Sequence, residues 1–473
     1  MELALRNALE VMEGAVRYDA GRVRLVNRDA LGSAALDRLV RMAVFGETED
    51  ARDAARWLVW ELSQEAGCPA ASIHDLYQAM GRGEVHGFTV PAMNLRVMAY
   101  DAARAVFRAA LARDAGALIF EIARSEMAYT DQRPAEYVTV VLGAALREGF
   151  RGPVFIQGDH FQVNAKKYAA DPEQELDAIR ALIDEAVPAG FFNIDIDTST
   201  LVDLTPKTLD EQQHANYSRA AELTAHVRAR EPEGVTISVG GEIGEVGGKN
   251  STVEELTAFM DGYNRSLRKI DPALAGLSKI SVQTGTSHGG VVLPDGSIAE
   301  VKLDLKALKA LSAAARQQYG LGGAVQHGAS TLPENAFGNF PTHDACEIHL
   351  ATAFQNIVFD HEALPDAFRA ELRAWVLEHC AGERKASDSD EQFYYKSRKK
   401  AIGPHKRQFW DLPDAAKGPI CDALETRFGF LFDQLKIANT KAVVAEHVRA
   451  TTIRHAEPQA IGVAAPDDAD AGE

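Results

Sequence analysis

The chain has 473 residues, of which 46% are apolar and 25% are charged, and its formal net charge is −18. This composition is typical of a globular protein with one large α/β domain or two ordinary ones. The acidic balance argues against a nucleic-acid partner, because a phosphate backbone binds to a basic surface. No run of about 18 apolar residues occurs, so we expect neither a membrane-spanning helix nor a membrane partner.

Two features predict a cytoplasmic protein. Residues 1–6 lack the basic region and the apolar core of a secretory signal. The cysteines are widely dispersed and form no CxxC pair, which is typical of structural thiols in a reducing compartment. They are Cys68, Cys346, Cys380 and Cys421.

Residues 1–84 have apolar side chains at helical spacing and predict an N-terminal helical extension, with 22–26 as the only strand-like segment. Residues 85–359 differ, because short apolar runs alternate there with longer amphipathic segments. The runs are apolar on both faces, as parallel strands buried on both sides require. The predicted strands are 87–92, 117–122, 153–158, 191–197, 235–240, 277–284, 322–327 and 345–350.

Eight strands that alternate with helices predict an α/β protein with a (β/α)8 TIM barrel. A doubly wound open sheet is the alternative fold, because alternation alone does not show closure. The link 334–344 is too short for a full helix. The predicted helices are 96–113, 135–148, 173–187, 210–230, 253–265 and 304–319.

Beyond the barrel, residues 360–456 predict a C-terminal helical extension, and residues 457–473, rich in Ala, Asp and Pro, predict a disordered tail. The extension carries a basic cluster that includes Lys399, Lys400 and Arg407. A solvated helix face is one interpretation of this cluster. Anion contacts at the barrel mouth, in this chain or a neighbouring copy, are the other.

Three short motifs each place a histidine at or just past the end of a predicted strand. His160 ends the third strand, His288 follows the sixth and His327 ends the seventh. Any one of them alone is more simply a hydrogen-bonded structural histidine. Because the carboxyl ends of barrel strands meet at one mouth, three together favour a catalytic zinc site with one open position.

Acidic residues accompany these histidines. Successive strand side chains point in opposite directions, so Asp159 is expected to serve in proton transfer or beside the metal rather than as a ligand with His160. A helix N-cap is its alternative role. Asp197 and Glu242, at the next two strand ends, are candidates for a second cation site, with capping as the alternative for Asp197.

Two glycine-containing loops follow predicted strands. The segment 240–248 is glycine-rich and indicates close approach of the backbone to another group, although such clusters also mark turns. The segment 328–331 lies where barrel enzymes bind phosphate through backbone N–H groups, with a capped helix start as the alternative.

These motifs resemble those of the class II, metal-dependent ketose-bisphosphate aldolase superfamily, which includes the fructose- and tagatose-bisphosphate aldolases. Their order along residues 85–359 matches as well. The matching segments are 90–94 for the opening strand, 157–160 for the catalytic acid and the first zinc histidine, 241–248 for the glycine-rich stretch, and 284–289 and 326–330 for the other two histidines.

The resemblance implies that Zn²⁺, or another divalent metal, is bound by His160, His288 and His327. Asp159 would transfer the proton at the ketose C4 hydroxyl, or at the aldehyde oxygen in the reverse direction. Asp197 and Glu242 match the positions of an alternative cation site.

The implied reaction is reversible aldol cleavage of a phosphorylated ketose to a dihydroxyacetone-phosphate-like fragment and an aldehyde, as in glycolysis and related carbohydrate metabolism. The implied partners are the phosphorylated sugar and further copies of the chain, in a homodimer or a larger homo-oligomer. The implied substrate contacts are Asn94, Gly289, Gly328, Ser330 and Thr352.

Departures from the family pattern leave the substrate open. Lys249 and Asn250 stand where the family carries acidic residues. His349 and Ala353 replace the Asn and the Asp of the phosphate-binding run, and no Lys follows Gly290. These changes favour a rearranged phosphate site or a different donor.

Residues 158–164 also resemble the accessory-type subunit of tagatose-bisphosphate aldolases, which characteristically lacks the complete zinc set. A non-catalytic scaffold for a separate aldolase is therefore the alternative function. Epimerisation at the same metal is a third hypothesis. The presence of all three histidines favours the enzyme.

Overall fold

A computed structural model describes residues 2–19, 21–244, 249–285 and 303–458. Within these residues, eight parallel strands surround a buried core, and each lies in or overlaps one of the predicted runs. In chain order they are β1 (Val90–Asn94), β2 (Ile119–Ala123), β3 (Val154–Gln162), β4 (Asn193–Asp197), β5 (Ser238–Glu242), β6 (Lys279–Val282), β7 (Ala324–Gln326) and β8 (Glu347–Leu350).

The strands close into a barrel. Each pairs in parallel with the next, and β8 pairs with β1 through His349 and Ala92. The TIM barrel is therefore confirmed, and the open-sheet alternative is wrong because the last strand pairs with the first. The carboxyl ends of all eight strands form one mouth, where barrel enzymes carry their active sites.

Helices pack around the barrel, and five of the ten described here begin at a residue whose side chain caps the first turn. Thr252, for example, accepts a hydrogen bond from the backbone N–H of Glu255, whose carboxylate accepts one from Thr252 in return. Such a capping box satisfies donors that the first helical turn leaves unpaired. The helices are Ala99–Leu111, Arg124–Tyr129, Pro134–Glu148, Ala165–Ala170, Pro172–Ala189, Leu209–Arg228, Val253–Ile270, Leu305–Tyr319, Asn339–Thr342 and Thr352–Asp360.

The segment before the barrel is mainly helical, as expected. It also contains an antiparallel hairpin of Val16–Asp19 and Arg22–Leu25, of which the sequence predicted only the second strand. A short strand, Ala70–Ala71, pairs with the start of β3. The helices here are Glu2–Val11, Ala34–Phe45, Glu49–Ala66 and His74–Gly81.

The segment after the barrel is helical as well, and its longest helix packs against Ala99–Leu111. Residues 459–473, which make up most of the predicted tail, lie outside the described residues. None of the described helices has the length and apolarity that a membrane crossing demands. The helices here are Asp366–His379, Asp390–Ser397, Lys406–Trp410, Asp414–Gln434 and Thr440–His447.

Candidate active site at the barrel mouth

A β-bulge in β3 brings two neighbouring side chains to the mouth. The pairing of β3 with β4 shifts register between Gly158 and Phe161, and His160 has a φ of 41°. A bulge re-aims the side chains beside it. Asp159 Oδ1 and His160 Nε2 consequently lie 3.7 Å apart, although regular alternation would separate them. Only glycine fits at position 158, because a Cβ there would lie 2.4 Å from the Phe161 ring.

Carboxylates surround His160. Its Nδ1 lies 2.9 Å from Asp197 Oδ2 and 3.4 Å from Glu242 Oε2. Burial alone would lower the pKa of His160, but Asp159, Asp197 and Glu242 together raise it well above its usual value. Burial, followed by the charge of Asp197, raises the pKa of Glu242 to about 8. The concentration of negative charge favours a cation at this position.

Two of the three predicted metal ligands meet at the mouth. The rings of His160 and His327 have centroids 4.4 Å apart. One ligand atom from each of His160, His327 and Glu242 lies within 4.8 Å of the others. Imidazole nitrogens with a carboxylate oxygen are donors that suit Zn²⁺ and similar divalent ions, so this set fits the metal that the family implies. The third predicted ligand, His288, lies outside the described residues.

A layer of charged side chains lies deeper in the barrel, one from each even-numbered strand: Glu121, Asp195, Lys279 and Glu347. Lys279 Nζ lies 2.9 Å from Asp195 Oδ1 and 2.5 Å from Glu347 Oε1. Burial would lower the pKa of Lys279, but Asp195 and Glu347 outweigh it and raise that pKa. Lys279 is therefore a fixed ammonium ion. Gly240 makes room for the Lys279–Asp195 pair, because a Cβ there would lie 2.8 Å from Lys279 Cε and 2.2 Å from Asp195 Oδ1.

His349 connects the charged layer to the mouth, a role that the sequence did not predict. Its Nδ1 lies 3.0 Å from Asp159 Oδ1, and its Nε2 lies 2.6 Å from Glu347 Oε1. The ring centroids of His349 and His327 are 4.0 Å apart. The available signal was the alternation of Glu347 and His349 with apolar neighbours, which places both on the inner face of a barrel strand.

The predicted substrate contacts lie at the ends of other strands. Asn94 is buried at the end of β1, and its Nδ2 donates to Glu126. Ser330 Oγ accepts a hydrogen bond of 2.6 Å from the backbone N–H of Ala351, directly before Thr352, so the loops after β7 and β8 are joined. Gly328 has a φ of 66°, which favours glycine. Gly289, like residues 245–248 of the glycine-rich segment, lies outside the described residues.

The three basic residues considered as anion contacts face different partners. Lys399 Nζ lies 5.5 Å from the centre of the ring of Tyr129, which belongs to the helix that follows β2. Lys400 Nζ is paired with Glu383 Oε1 at 2.6 Å. The Arg407 guanidinium lies 4.5 Å from the centre of the Phe45 ring, on the N-terminal segment.

The barrel is closed, and its mouth brings imidazoles and carboxylates together. This is the arrangement of barrel enzymes that use a metal ion in catalysis. Residues 74–401 match the family model described as class II fructose-bisphosphate aldolase. The chain therefore belongs to the class II fructose-bisphosphate aldolase family, and the resemblance seen in the sequence is confirmed.

Solved structures show the same fold at low sequence identity. A fructuronate-tagaturonate epimerase from Cohnella laeviribosi is 12% identical, with a TM-score of 0.55 over 92% of this chain and 100% of that one. A probable tagatose 6 phosphate kinase from Sinorhizobium meliloti 1021 is 18% identical, with a TM-score of 0.51 over 76% of this chain and 99% of that one. No curated protein matches the chain significantly.

Proposed function

We propose that this protein catalyses the metal-dependent, reversible aldol cleavage of a phosphorylated ketose. The observation that carries the proposal is the mouth of the barrel, where the carboxylate of Asp159 adjoins the imidazoles of His160 and His327. A proton-transfer group and a pair of metal-competent nitrogens are thus held side by side. Family membership supports this type of chemistry.

His160 and His327 would hold the metal, with Glu242 beside them and His288 as a further proposed ligand. When bound, a divalent metal supplies Lewis-acid polarisation of the ketose carbonyl. We propose zinc as that metal, because the imidazole and carboxylate donors suit it. Metal analysis of the purified protein would identify any other divalent ion in its place.

Asp159 would move the proton. In the cleavage direction its carboxylate accepts the proton of the C4 hydroxyl, the C3–C4 bond breaks, and the C4 oxygen becomes the carbonyl of the released aldehyde. The electron pair of the broken bond remains at C3 of the ketose-derived fragment, which takes up a proton there from water before it is released. In the condensation direction Asp159 returns the proton to the aldehyde oxygen. A positioned general acid–base group contributes about 10²- to 10⁴-fold to a rate.

Lys279 is unsuited to the other common aldolase strategy, in which a lysine amine attacks the ketose carbonyl to form an imine. Such an amine must lose its proton. Asp195 and Glu347 instead raise the pKa of Lys279 against the effect of burial, and the side chain is 0% exposed. This supports assigning the chemistry to the metal-competent residues of the mouth.

The substrate would be held at the joined loops after β7 and β8. Backbone N–H groups of 328–331 and the hydroxyl of Thr352 are the proposed contacts for a phosphate, as in other barrel enzymes. Lys399 is a further proposed contact, because its partner Tyr129 belongs to the helix that follows β2. An oligomer would supply further surface for substrate, and we propose a homo-oligomer.

A substrate panel tests the proposal. Wild-type protein would be incubated with ketose mono- and bisphosphates of varied stereochemistry, and aldehyde release and epimer formation would both be followed. We expect aldehyde release from at least one ketose, and a loss of about 10²- to 10⁴-fold in kcat for Asp159→Asn. Asp366→Asn, an exposed carboxylate on the C-terminal extension, is the matched control and should retain full activity.

Other outcomes point elsewhere. Metal-bound protein that forms only an epimer would replace aldol cleavage with epimerisation. Protein that cleaves no ketose alone, but raises the activity of a separate aldolase, would indicate the accessory-subunit function.

A further inference from the structure

His349 has a carboxylate at both ring nitrogens. Its Nδ1 makes a 3.0 Å hydrogen bond with Asp159 Oδ1 and also lies 3.0 Å from Glu121 Oε2, and its Nε2 makes a hydrogen bond of 2.6 Å with Glu347 Oε1. The side chain is only 5% exposed. A ring tied at both nitrogens has one allowed orientation, so His349 is a rigid connection rather than a side chain free to turn.

The lower end of this connection is itself fixed. Glu347 Oε1 accepts hydrogen bonds from Lys279 Nζ at 2.5 Å and from Gln157 Nε2 at 2.9 Å, and Tyr77 donates to Oε2. All four side chains are buried in the barrel. A fully connected polar network of this kind is rigid, because any movement leaves a buried group without its partner. Glu347 is therefore held rigidly and fixes the position of His349 Nε2.

The upper end determines how Asp159 is oriented. Asp159 lies in the β3 bulge, next to His160, whose φ of 41° is uncommon for a residue with a side chain. A carboxylate at such a position can rotate about its side-chain bonds unless a partner holds it. The bond from His349 engages Oδ1 and restricts that rotation. Misplacing a catalytic group by about 1 Å can cost about 10²-fold in rate.

A second cation is the competing interpretation of the same residues. Ligand atoms of Asp159, His327 and His349 lie within 4.8 Å of one another, but both nitrogens of His349 are already hydrogen-bonded to carboxylates, which argues against His349 as a ligand in that set. Ligand atoms of Glu121, Glu347 and His349 lie within 4.8 Å of one another as well. The Lys279 ammonium, 2.5 Å from Glu347 Oε1, already supplies positive charge there. A divalent ion at the same oxygen would be repelled by it at close range. Charge balance therefore favours a structural role for His349 over ligation of an inner metal.

We propose that His349 is a positioning residue that holds the Asp159 carboxylate in its reactive orientation, with Glu347 and Lys279 as its fixed base. This inference rests on the proposed function for its kinetic consequence. His349 does not touch the reacting atoms; it acts through Asp159.

Three variants of His349 separate this role from mere packing. An Asn side chain places its amide near the position of Nδ1 and can still bond Asp159, whereas a Gln side chain reaches the position of Nε2 and can still bond Glu347. Leu keeps the size and loses both bonds. We expect His349→Asn, which keeps the bond to Asp159 but loses its base on Glu347, to lose less than about tenfold in kcat, and His349→Gln and His349→Leu to lose at least about tenfold with KM changed by less than about threefold. Equal losses in all three variants, or no loss in His349→Leu, would overturn the proposal.

A spectroscopic measurement tests the contact without relying on any activity. Protein labelled with ¹⁵N in its histidine rings gives a His349 Nδ1 resonance, assigned by its disappearance in His349→Asn. We expect Asp159→Asn to shift this resonance, whereas Asp366→Asn should leave it in place. An unshifted resonance in Asp159→Asn overturns the inference whatever the activity. A shifted resonance in a protein that cleaves no ketose removes the proposed function and leaves the contact established.

Discussion

Lys279 is the residue on which the charge balance of the barrel interior depends. It is fully buried, and its ammonium group contacts both Asp195 and Glu347. Burial would raise the pKa of Glu347, but Lys279, together with His349, lowers it. Removing one partner of a buried ion pair is costly because the other charge is left without compensation.

Lys279→Met should accordingly destabilise the protein. Two buried carboxylates would lose their cation, and we expect the free energy of unfolding to fall by about 3–5 kcal/mol in urea titrations. Lys400→Met is the matched control, because Lys400 pairs with Glu383 at the surface and its loss should cost at most about 1 kcal/mol. A Lys279→Met protein as stable as the wild type would contradict the assignment of Lys279 as the counter-ion.

The site could be predicted from the sequence only where a residue stands in a motif. His160, His327 and Asp159 were identified in this way, and the structure places all of them at the mouth. His349 was identified only as a missing asparagine, and Glu121 and Lys279 were counted as parts of apolar strands. Their partners come from strands far apart in the chain, so the pairing of these charges depends on barrel closure and not on any local pattern.

The bulge in β3 is the element that makes the site compact. It occurs where Gly158 lets the Phe161 ring fold back against the strand, and it directs Asp159 and His160 to the same mouth. Phe161 is fully buried, so it has little room to move away. The bulge is thus determined by one small residue and one large residue three positions apart.

Gly158→Ala should disturb this element. The added methyl would lie 2.4 Å from the Phe161 ring, and overpacking of this kind typically costs about 1–3 kcal/mol. Gly382→Ala is the control, because a Cβ there meets open space and the residue, in the short helix Ala381–Glu383, has no positive φ. In thermal unfolding, we expect a midpoint below that of the wild type for Gly158→Ala and a midpoint above it for the control. Equal stability of both variants would show that the bulge does not depend on Gly158.

Secondary structure was predictable where burial is strong. The barrel strands are buried apolar runs, and their number and order follow from the sequence. The strand Val16–Asp19 was not predicted, because it alternates between half-buried and exposed residues and contains charged side chains. It exists through pairing with Arg22–Leu25, which is tertiary information that a local pattern does not contain.

At the scale of the whole molecule, the last described residues bind the N-terminal segment. Trp60 Nε1 donates to the Ile453 carbonyl at 2.8 Å, and the His455 ring stacks on Trp60 at a centroid distance of 4.1 Å. Arg454 Nη1 lies 2.7 Å from Glu61 Oε2. Residues 451–458 therefore cover one face of the helix Glu49–Ala66.

A chain that ends at residue 450 should lose this cover. Trp60 would gain contact with water, so we expect a red shift of tryptophan emission and a fall in the thermal midpoint on the order of 5 °C. A chain that ends at residue 458 keeps every one of these contacts and is the matched control. Identical midpoints for the two truncated chains would contradict a stabilising role for residues 451–458.

The most direct test of a metal-dependent aldolase is the metal content of the purified protein, measured together with aldol cleavage before and after chelation. We expect about one divalent ion per chain, loss of activity on chelation and recovery when zinc is returned. His327→Ala should lose the metal and the activity, whereas His379→Ala, an exposed histidine of the C-terminal extension, should keep both. Full aldol cleavage by chelated, metal-depleted protein would contradict the assignment of His160 and His327 to a catalytic metal.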